Sequence, residues 1–140
     1  MKVLIDTNIV LDILLNNDAF YANSMAVFVY AEQKHLAGYV SASAVTDIYY
    51  ISKKQLGKEA ARNAVKKVLS VFQPAAVTGD DIFMALDLGW RDFEDSLQYV
   101  VGEGLSVDYI ITRDTQDFSS SSIAVVTPEQ FIQIIAEIEK

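Results

Sequence analysis

The chain contains no cysteine, a single histidine, two prolines and 11 basic residues against 19 acidic ones. Without cysteine it can form neither a disulfide nor a thiolate metal site. This is typical of a reducing cytoplasm, where we expect the protein to act. The net charge of −8 argues against a simple nucleic-acid-binding module, which would carry the opposite sign. It argues less against an enzyme whose acidic side chains hold divalent cations, because bound ions reverse the local charge.

Long hydrophobic runs are also missing. No apolar segment approaches the roughly 18 residues that a membrane-spanning helix needs, so we expect no membrane association. Because the first predicted strand begins at residue 2, we also expect no signal peptide. Apolar residues nevertheless make up 51% of the 140, which favours a compact globule over disorder. The length suits one domain spanning residues 1–140.

Short apolar runs alternate along the chain with segments of helical periodicity. This alternation favours an α/β fold, and specifically a three-layer α/β/α sandwich around a mainly parallel sheet of four to five strands. Right-handed crossovers would place the carboxyl ends of the strands along one edge of that sheet. The predicted strands are residues 2–6, 39–40, 109–111 and 123–126.

Helix boundaries are marked by capping residues and by glycines. Three predicted helices begin after a side chain that can accept a hydrogen bond from the first turn, and two are expected to end at glycine. The caps are Thr78, Asp92 and Thr127, and the terminating glycines are Gly38 for the second helix and Gly102 with Gly104 for the sixth.

The first eight residues contain the most informative pattern in the chain. An apolar run over residues 3–5 ends at Asp6, and Thr7 and Asn8 follow as residue types that cap helices. The pattern predicts a buried strand that delivers one carboxylate to the edge where ligands bind in open α/β sheets. Such a carboxylate is costly to hold unless a cation lies beside it.

Other acidic residues lie at element boundaries further along the chain. Asp47 is early in a predicted helix, while Asp92 and Asp95 lie at the start of another. Asp114 follows the strand at residues 109–111, as Asp6 follows the first strand, and Asp117 comes just beyond. Singly, these residues have ordinary interpretations as helix caps, partners of a helix dipole or turn residues.

Convergence of four such acids would require protons or cations. Two carboxylates about 4 Å apart repel by roughly 4 kcal/mol at an effective dielectric constant of 20. Sites built only from carboxylates suit hard ions such as Mg²⁺ or Mn²⁺, which retain water ligands and accept phosphate oxygens. We therefore expect Mg²⁺ or Mn²⁺ as the cofactor if the acids meet.

The ordered set of acids resembles the PIN domain, and in particular small bacterial PIN proteins that include VapC-type toxins. The resemblance covers essentially the whole chain. It implies an α/β/α sandwich and metal-dependent cleavage of RNA phosphodiester bonds. It also implies a small antitoxin as a possible partner, and a possible homodimer. By the same resemblance the catalytic and metal-binding acids would be Asp6, Asp47, Asp95 and Asp114, with Asn8, Thr112, Asp92 and Asp117 in supporting roles.

Two features depart from the family pattern. The second acid is usually glutamate, and Asp47 is one methylene shorter, so a metal would shift or bind there through water. The fourth acid is ambiguous, because Asp117 lies close enough in sequence to share or take the role of Asp114.

Basic residues that could contact an RNA backbone are few. Lys58 and Arg62 lie on one face of a predicted helix, and Lys54 lies just before it, on the same helix face as Asp47. They could lead phosphates toward the acids, or they could form an ordinary solvated face. Arg113 is a further candidate for a phosphate contact, with a carboxylate as the alternative partner.

Three other functions are compatible with parts of this pattern. A phospho-acceptor receiver domain would need a lysine after a late strand, where the chain instead has Thr127 and Pro128. A haloacid-dehalogenase-type phosphatase would need aspartate two residues after Asp6, where Asn8 stands. A PIN protein that binds metal or another protein without nuclease activity remains an alternative.

Overall fold

The computed structural model describes residues 1–33 and 35–140. Within these residues the chain forms five β-strands, seven α-helices and one short 3-10 helix over Thr115–Phe118. The strands are β1 Lys2–Ile5, β2 Ala37–Ser41, β3 Phe72–Ala75, β4 Tyr109–Ile111 and β5 Ala124–Val126. The helices are α1 Thr7–Leu14, α2 Tyr21–Glu32, α3 Ala42–Leu56, α4 Lys58–Leu69, α5 Gly79–Leu88, α6 Phe93–Leu105 and α7 Pro128–Ile138.

The five strands form one parallel sheet in the order β3-β2-β1-β4-β5. The chain fills one half of the sheet outward from β1 to β3 and then returns to place β4 on the other side of β1. In the register, Leu4 pairs with Ile110 and Ile5 with Ile111. The segments that follow β1 and β4 therefore leave the sheet side by side at the topological switch point, where open α/β sheets bind ligands.

The sheet separates two hydrophobic layers because successive strand residues point to opposite faces. Val3 and Ile5 of β1 belong to the larger core, which also contains side chains from α1, α2, α3, α4 and α7. Leu4 belongs to the second core, with Tyr99 and Val101 of α6. This is the predicted three-layer sandwich, and the sheet has five strands.

The predicted caps are confirmed. Thr78 and Thr127 each accept a hydrogen bond from the backbone three residues on, and each is part of a reciprocal capping box. Asp92 accepts from the backbone N–H of Asp95 at 3.1 Å. Proline at the first position of α7 needs no intrahelical donor, which favours the start of the helix there.

The glycine predictions are wrong. Gly38 lies inside β2, where a Cβ atom would stand 2.7 Å from the ring of buried Phe72. Gly102 and Gly104 lie inside α6, which ends instead at Ser106 in the left-handed conformation with φ of 56°. At Gly102 a Cβ would come within 3.3–3.5 Å of three apolar side chains, so the small residue allows close packing of the helix against the sheet.

Candidate active site

Asp6 is a buried acid that three hydrogen bonds hold in place. It is the N-cap of α1, its side chain is 6% exposed, and it accepts hydrogen bonds from the backbone N–H of Thr7 and from Thr112 Oγ1, each at 2.7 Å. Asn8 Nδ2 donates a third hydrogen bond at 3.3 Å. Burial raises the pKa of Asp6, and the side chains of Thr112 and Gln98 and the backbone of Thr7 only partly oppose that effect. The charge of Asp114 raises this pKa further.

Asp114 is held by the same two polar side chains that support Asp6. Asn8 Nδ2 donates to Asp114 Oδ2 at 3.1 Å, and the backbone N–H of Asp114 donates to Thr112 Oγ1 at 3.1 Å. The structure therefore brings together Asp6, Asn8, Thr112 and Asp114, all of which the sequence singled out.

The first turn of α6 adds Asp95 beside this pair. Burial is the main cause that raises the pKa of Asp95 from its ordinary value of 3.8 to about 7. The negative charges of Asp6, Asp92 and Asp117 act in the same direction. Burial and the neighbouring carboxylates together therefore raise the pKa of Asp95 into the range near neutral pH.

Glu94 is an acid to which the sequence interpretation assigned no role. Thr7 Oγ1 donates to Glu94 Oε1 at 3.2 Å, so the carboxyl lies against the start of α1. Burial raises the pKa of Glu94, and the charge of Asp47 is the largest electrostatic contribution, followed by that of Asp6. Asp47 itself is exposed on α3 and lies near Glu94. The sequence feature that could have indicated a role for Glu94 was its position directly before Asp95.

Arg113 contacts a carboxylate, which was the alternative to a phosphate contact that the sequence left open. Its Nε lies 3.1 Å from Oδ2 of Asp12, a buried carboxylate of α1, although the N–H is not aligned for a hydrogen bond. Its guanidinium carbon lies 4.1 Å from the centre of the Phe20 ring. Both contacts attach the turn that carries Asp114 to α1 and to the segment that precedes α2.

The other predicted basic contacts lie outside this cluster of hydrogen bonds. Lys54 is in the last turn of α3, and Lys58 and Arg62 are exposed on α4. Within residues 1–33 and 35–140 none of the three forms an ion pair.

A cleft of about 790 Å³ lies beside the acids. Asp92 and Asp117 form part of its wall, and the segment before α6 contributes Trp90 and Arg91. The Trp90 ring packs against Tyr99 at 4.8 Å between centroids, which holds the indole at the cleft wall. The cleft is therefore polar and open, and it borders two acids whose charges act on Asp95 as well as one basic side chain.

Comparison with known proteins identifies the family. A family model described as PIN domain matches residues 2–116. The chain belongs to the PIN domain family. It is 25% identical over 137 residues to Ribonuclease VapC1 of Aquifex aeolicus, with 94% of each protein covered.

Solved structures share the fold of this PIN domain at low sequence identity. The crystal structure of VapBC2 from Rickettsia felis bound to a DNA fragment from their promoter matches with a TM-score of 0.68 and 16% identity, over 90% of this chain and 97% of that one. A toxin-antitoxin complex from Klebsiella pneumoniae matches with a TM-score of 0.65 and 20% identity, over the same shares of the two chains.

The donors of this PIN domain are of the type that hard divalent cations take. In the part of the chain that the structure describes, no group of three acidic or histidine side chains stands in a geometry that would hold a metal ion as it is. The carboxylates nevertheless repel one another, because the charges of neighbouring acids add to the effect of burial in raising the pKa of Asp6, Glu94 and Asp95. A cation would relieve that repulsion, so the chemistry of the site fits a divalent metal.

Gln98 is a second residue that the sequence interpretation missed. It lies one turn beyond Asp95 on α6 and is 1% exposed. Among the residues that the structure describes, neither Nε2 nor Oε1 of its amide has a hydrogen-bond partner, although the side chain is close enough to Asp6 to help lower the pKa of that carboxyl. The sequence feature that could have indicated a role for Gln98 was the presence of a glutamine within an apolar helical segment.

No helix in the described residues is both long enough and apolar enough to cross a membrane.

Proposed function

We propose that this PIN-domain protein is a metal-dependent endoribonuclease that hydrolyses RNA phosphodiester bonds in the cytoplasm, and that it is the toxin of a toxin–antitoxin pair. The observation that carries the proposal is the convergence of Asp6, Asp95 and Asp114 at the switch point, with the pKa of Asp95 raised to about 7. The similarity to Ribonuclease VapC1 supports the choice of RNA as substrate.

Mg²⁺ or Mn²⁺ would be held chiefly by Asp6 and Asp95, with Asp114 and Asp47 completing the set. When bound, the ion would supply Lewis-acid activation of water and neutralise charge that develops on the phosphate. The protein's own contribution is to position the acids. Asn8 bridges Asp6 and Asp114, which keeps the two strand ends together.

Several supporting roles follow from hydrogen bonds and charge. Thr112 fixes Asp6 through its hydroxyl, and Asp92 caps α6 and so holds the turn that carries Asp95. Asp117 lies near enough to Asp95 to raise its pKa, whereas Asp114 acts on Asp6. We therefore propose that Asp114 is the fourth acid and that Asp117 assists Asp95.

The substrate would approach through the open side of the acidic site. We propose that Lys54, Lys58 and Arg62 attract the phosphate backbone, because exposed cations on an acidic protein provide local attraction that the net charge does not. Arg113 is less available for a phosphate contact, since its guanidinium already faces Asp12 and Phe20.

The deciding experiment compares Asp6→Asn with Asp108→Asn. Asp108 lies at the start of β4, at the opposite edge of the sheet, where it accepts a hydrogen bond from the backbone of Lys2 at 2.9 Å. A panel of labelled RNAs is incubated with each protein in Mg²⁺, Mn²⁺ or EDTA. We expect the wild type and Asp108→Asn to cleave RNA only with metal, and Asp6→Asn to be inactive while folded. Undiminished cleavage by Asp6→Asn would refute the assignment.

The toxin role is tested by expression. Induction of the wild type in a bacterial host should arrest growth, Asp6→Asn should not, and co-expression of a cognate antitoxin should restore growth. A small antitoxin is the partner suggested by the Klebsiella pneumoniae neighbour, which is described as a toxin-antitoxin complex. Metal binding without cleavage or toxicity would instead favour the alternative, a PIN module without nuclease activity.

Contact with another protein would also explain an apolar surface on α5. Phe83, Met84 and Leu86 are 68%, 53% and 57% exposed. Contiguous apolar surface of this kind often marks a protein–protein contact. We propose that the chain forms a homodimer when no antitoxin is present, and light scattering of the purified protein would show twice the monomer mass.

A further inference from the structure

Gln98 is a buried polar side chain without a structural explanation. Its exposure is 1%, and within residues 1–33 and 35–140 neither polar atom of its amide has a hydrogen-bond partner. Leaving such a group unpaired costs about 1–3 kcal/mol. An apolar side chain of similar shape would avoid this cost, so folding alone does not account for glutamine at this position.

The position of Gln98 links it to the acids. It follows Asp95 by three residues on α6, and residues at this spacing share one helix face. The helix packs against β1, the strand that Asp6 directly follows. The Gln98 side chain is also near enough to Asp6 to help lower the pKa of that carboxyl, so it lies beside the acidic site.

We propose that Gln98 is a positioning residue, whose amide N–H would donate a hydrogen bond to the Asp6 carboxylate in the metal-bound protein. This inference rests on the proposed metal-dependent function and adds a residue to it. The amide that is unpaired without metal would then have its hydrogen-bond partner in the metal-bound protein. Partners that orient metal ligands typically change metal affinity by about 10–100-fold when they are removed.

The experiment compares wild type with Gln98→Met, which keeps the length of the side chain and removes the amide. Titration calorimetry measures Mn²⁺ affinity, and thermal unfolding in EDTA measures the stability of the metal-free protein. We expect the Mn²⁺ dissociation constant to rise about 10–100-fold. The melting temperature in EDTA should stay constant or rise, because an unpaired buried amide is lost. Equal Mn²⁺ affinity in the two proteins would overturn the inference.

Ser52→Ala is the matched control. Ser52 is also buried, and its hydroxyl also lacks a hydrogen-bond partner in the described part of the chain, but it lies on α3. Its removal should leave Mn²⁺ affinity unchanged. An equal loss of affinity in this variant would show a general packing effect and would overturn the specific role of Gln98.

A measurement on the unmodified protein does not depend on how the variants fold. The side-chain amide resonances of Gln98 should shift when Mg²⁺ is added, and an unchanged signal at saturating Mg²⁺ would contradict the inference. If the wild type binds neither Mn²⁺ nor Mg²⁺, the metal-dependent function fails together with it. If the wild type binds Mn²⁺ and Gln98→Met binds equally well, only the role of Gln98 fails.

Discussion

Replacing Asp95 with asparagine should stabilise the metal-free protein above neutral pH. Burial and the charge of Asp6 raise the pKa of Asp95 from 3.8 to about 7, so the folded state disfavours the ionised carboxyl. At 1.36 kcal/mol per pKa unit this difference corresponds to about 4 kcal/mol. Because Asp95 is partly exposed to solvent, screening reduces the expected gain to about 1–2 kcal/mol.

The sign of the pH dependence follows from linkage. With a folded-state pKa above the unfolded one, the favourable contribution of the Asp95 proton is complete below pH 3.8 and is lost as the pH rises through about 7. At pH 8 the ionised carboxyl of Asp95 therefore destabilises the folded wild type, whereas Asp95→Asn has no carboxyl there to ionise. The stabilisation by the variant should be large at pH 8 and nearly absent at pH 4.

Thermal unfolding in EDTA at pH 4 and pH 8 measures this difference. For a chain of this length we expect the variant to melt about 3–6 °C higher at pH 8. Asp87→Asn, at an exposed position on α5, is the control and should melt like the wild type at both pH values. With saturating Mn²⁺ the order should reverse, because the wild type gains binding energy that the variant lacks. Equal stabilisation by Asp95→Asn at both pH values would refute the electrostatic argument.

Three further predictions concern the supports of the site and its approach. Thr112→Val should destabilise the protein by about 1–3 kcal/mol in urea unfolding and weaken Mn²⁺ binding, since Asp6 loses a buried 2.7 Å hydrogen bond; unchanged values for both would contradict this. Arg113→Met should cost about 2–3 kcal/mol because it removes the cation beside the buried Asp12 carboxylate, which is then left with its hydrogen bonds from Asn17 and Ser24. The double variant with Asp12→Asn should recover most of that loss, and a failure to recover would exclude the ion pair as the cause. Arg62→Ala should raise KM for RNA two- to threefold at low salt, with kcat unchanged, and the difference should vanish at high salt; a salt-independent change would exclude phosphate attraction.

The fold was largely predictable because its strands and caps follow local chemical rules. The apolar run before Asp6 is β1, and Thr127 begins the last helix as expected. The strand β3 was missed because it is short and contains Pro74, which is unusual in a strand. Pro74 is tolerated because β3 is an edge strand of the sheet, where a missing ladder donor does little harm. That position in the sheet depends on tertiary structure, which local pattern does not reveal.

The glycine predictions were wrong for a similar reason. A glycine that ends a helix and a glycine that allows two elements to approach closely look the same in sequence. At Gly38 the deciding feature is the ring of Phe72, which lies 34 residues away along the chain. Only the packed structure distinguishes these two uses of the residue.

Part of the candidate site could be inferred from strand ends. Asp6 and Asp114 each follow a central strand, and the parallel pairing of β1 with β4 brings them together. Glu94 and Gln98 were missed because their importance depends on which face of α6 packs against β1. The roles of Asp47 and of the basic residues stay predictions that mutation and metal titration can test.

The order of strands also has a consequence for biosynthesis. Asp6 leaves the ribosome 106 positions before its hydrogen-bond partner Thr112. A nascent chain that ends before β4 contains no neighbour for β1 on that side and no Asp114. Contacts so distant in sequence form late in folding. If the protein does cut RNA, the ribosome that synthesises it is not exposed to an assembled nuclease until residues beyond Asp114 have emerged.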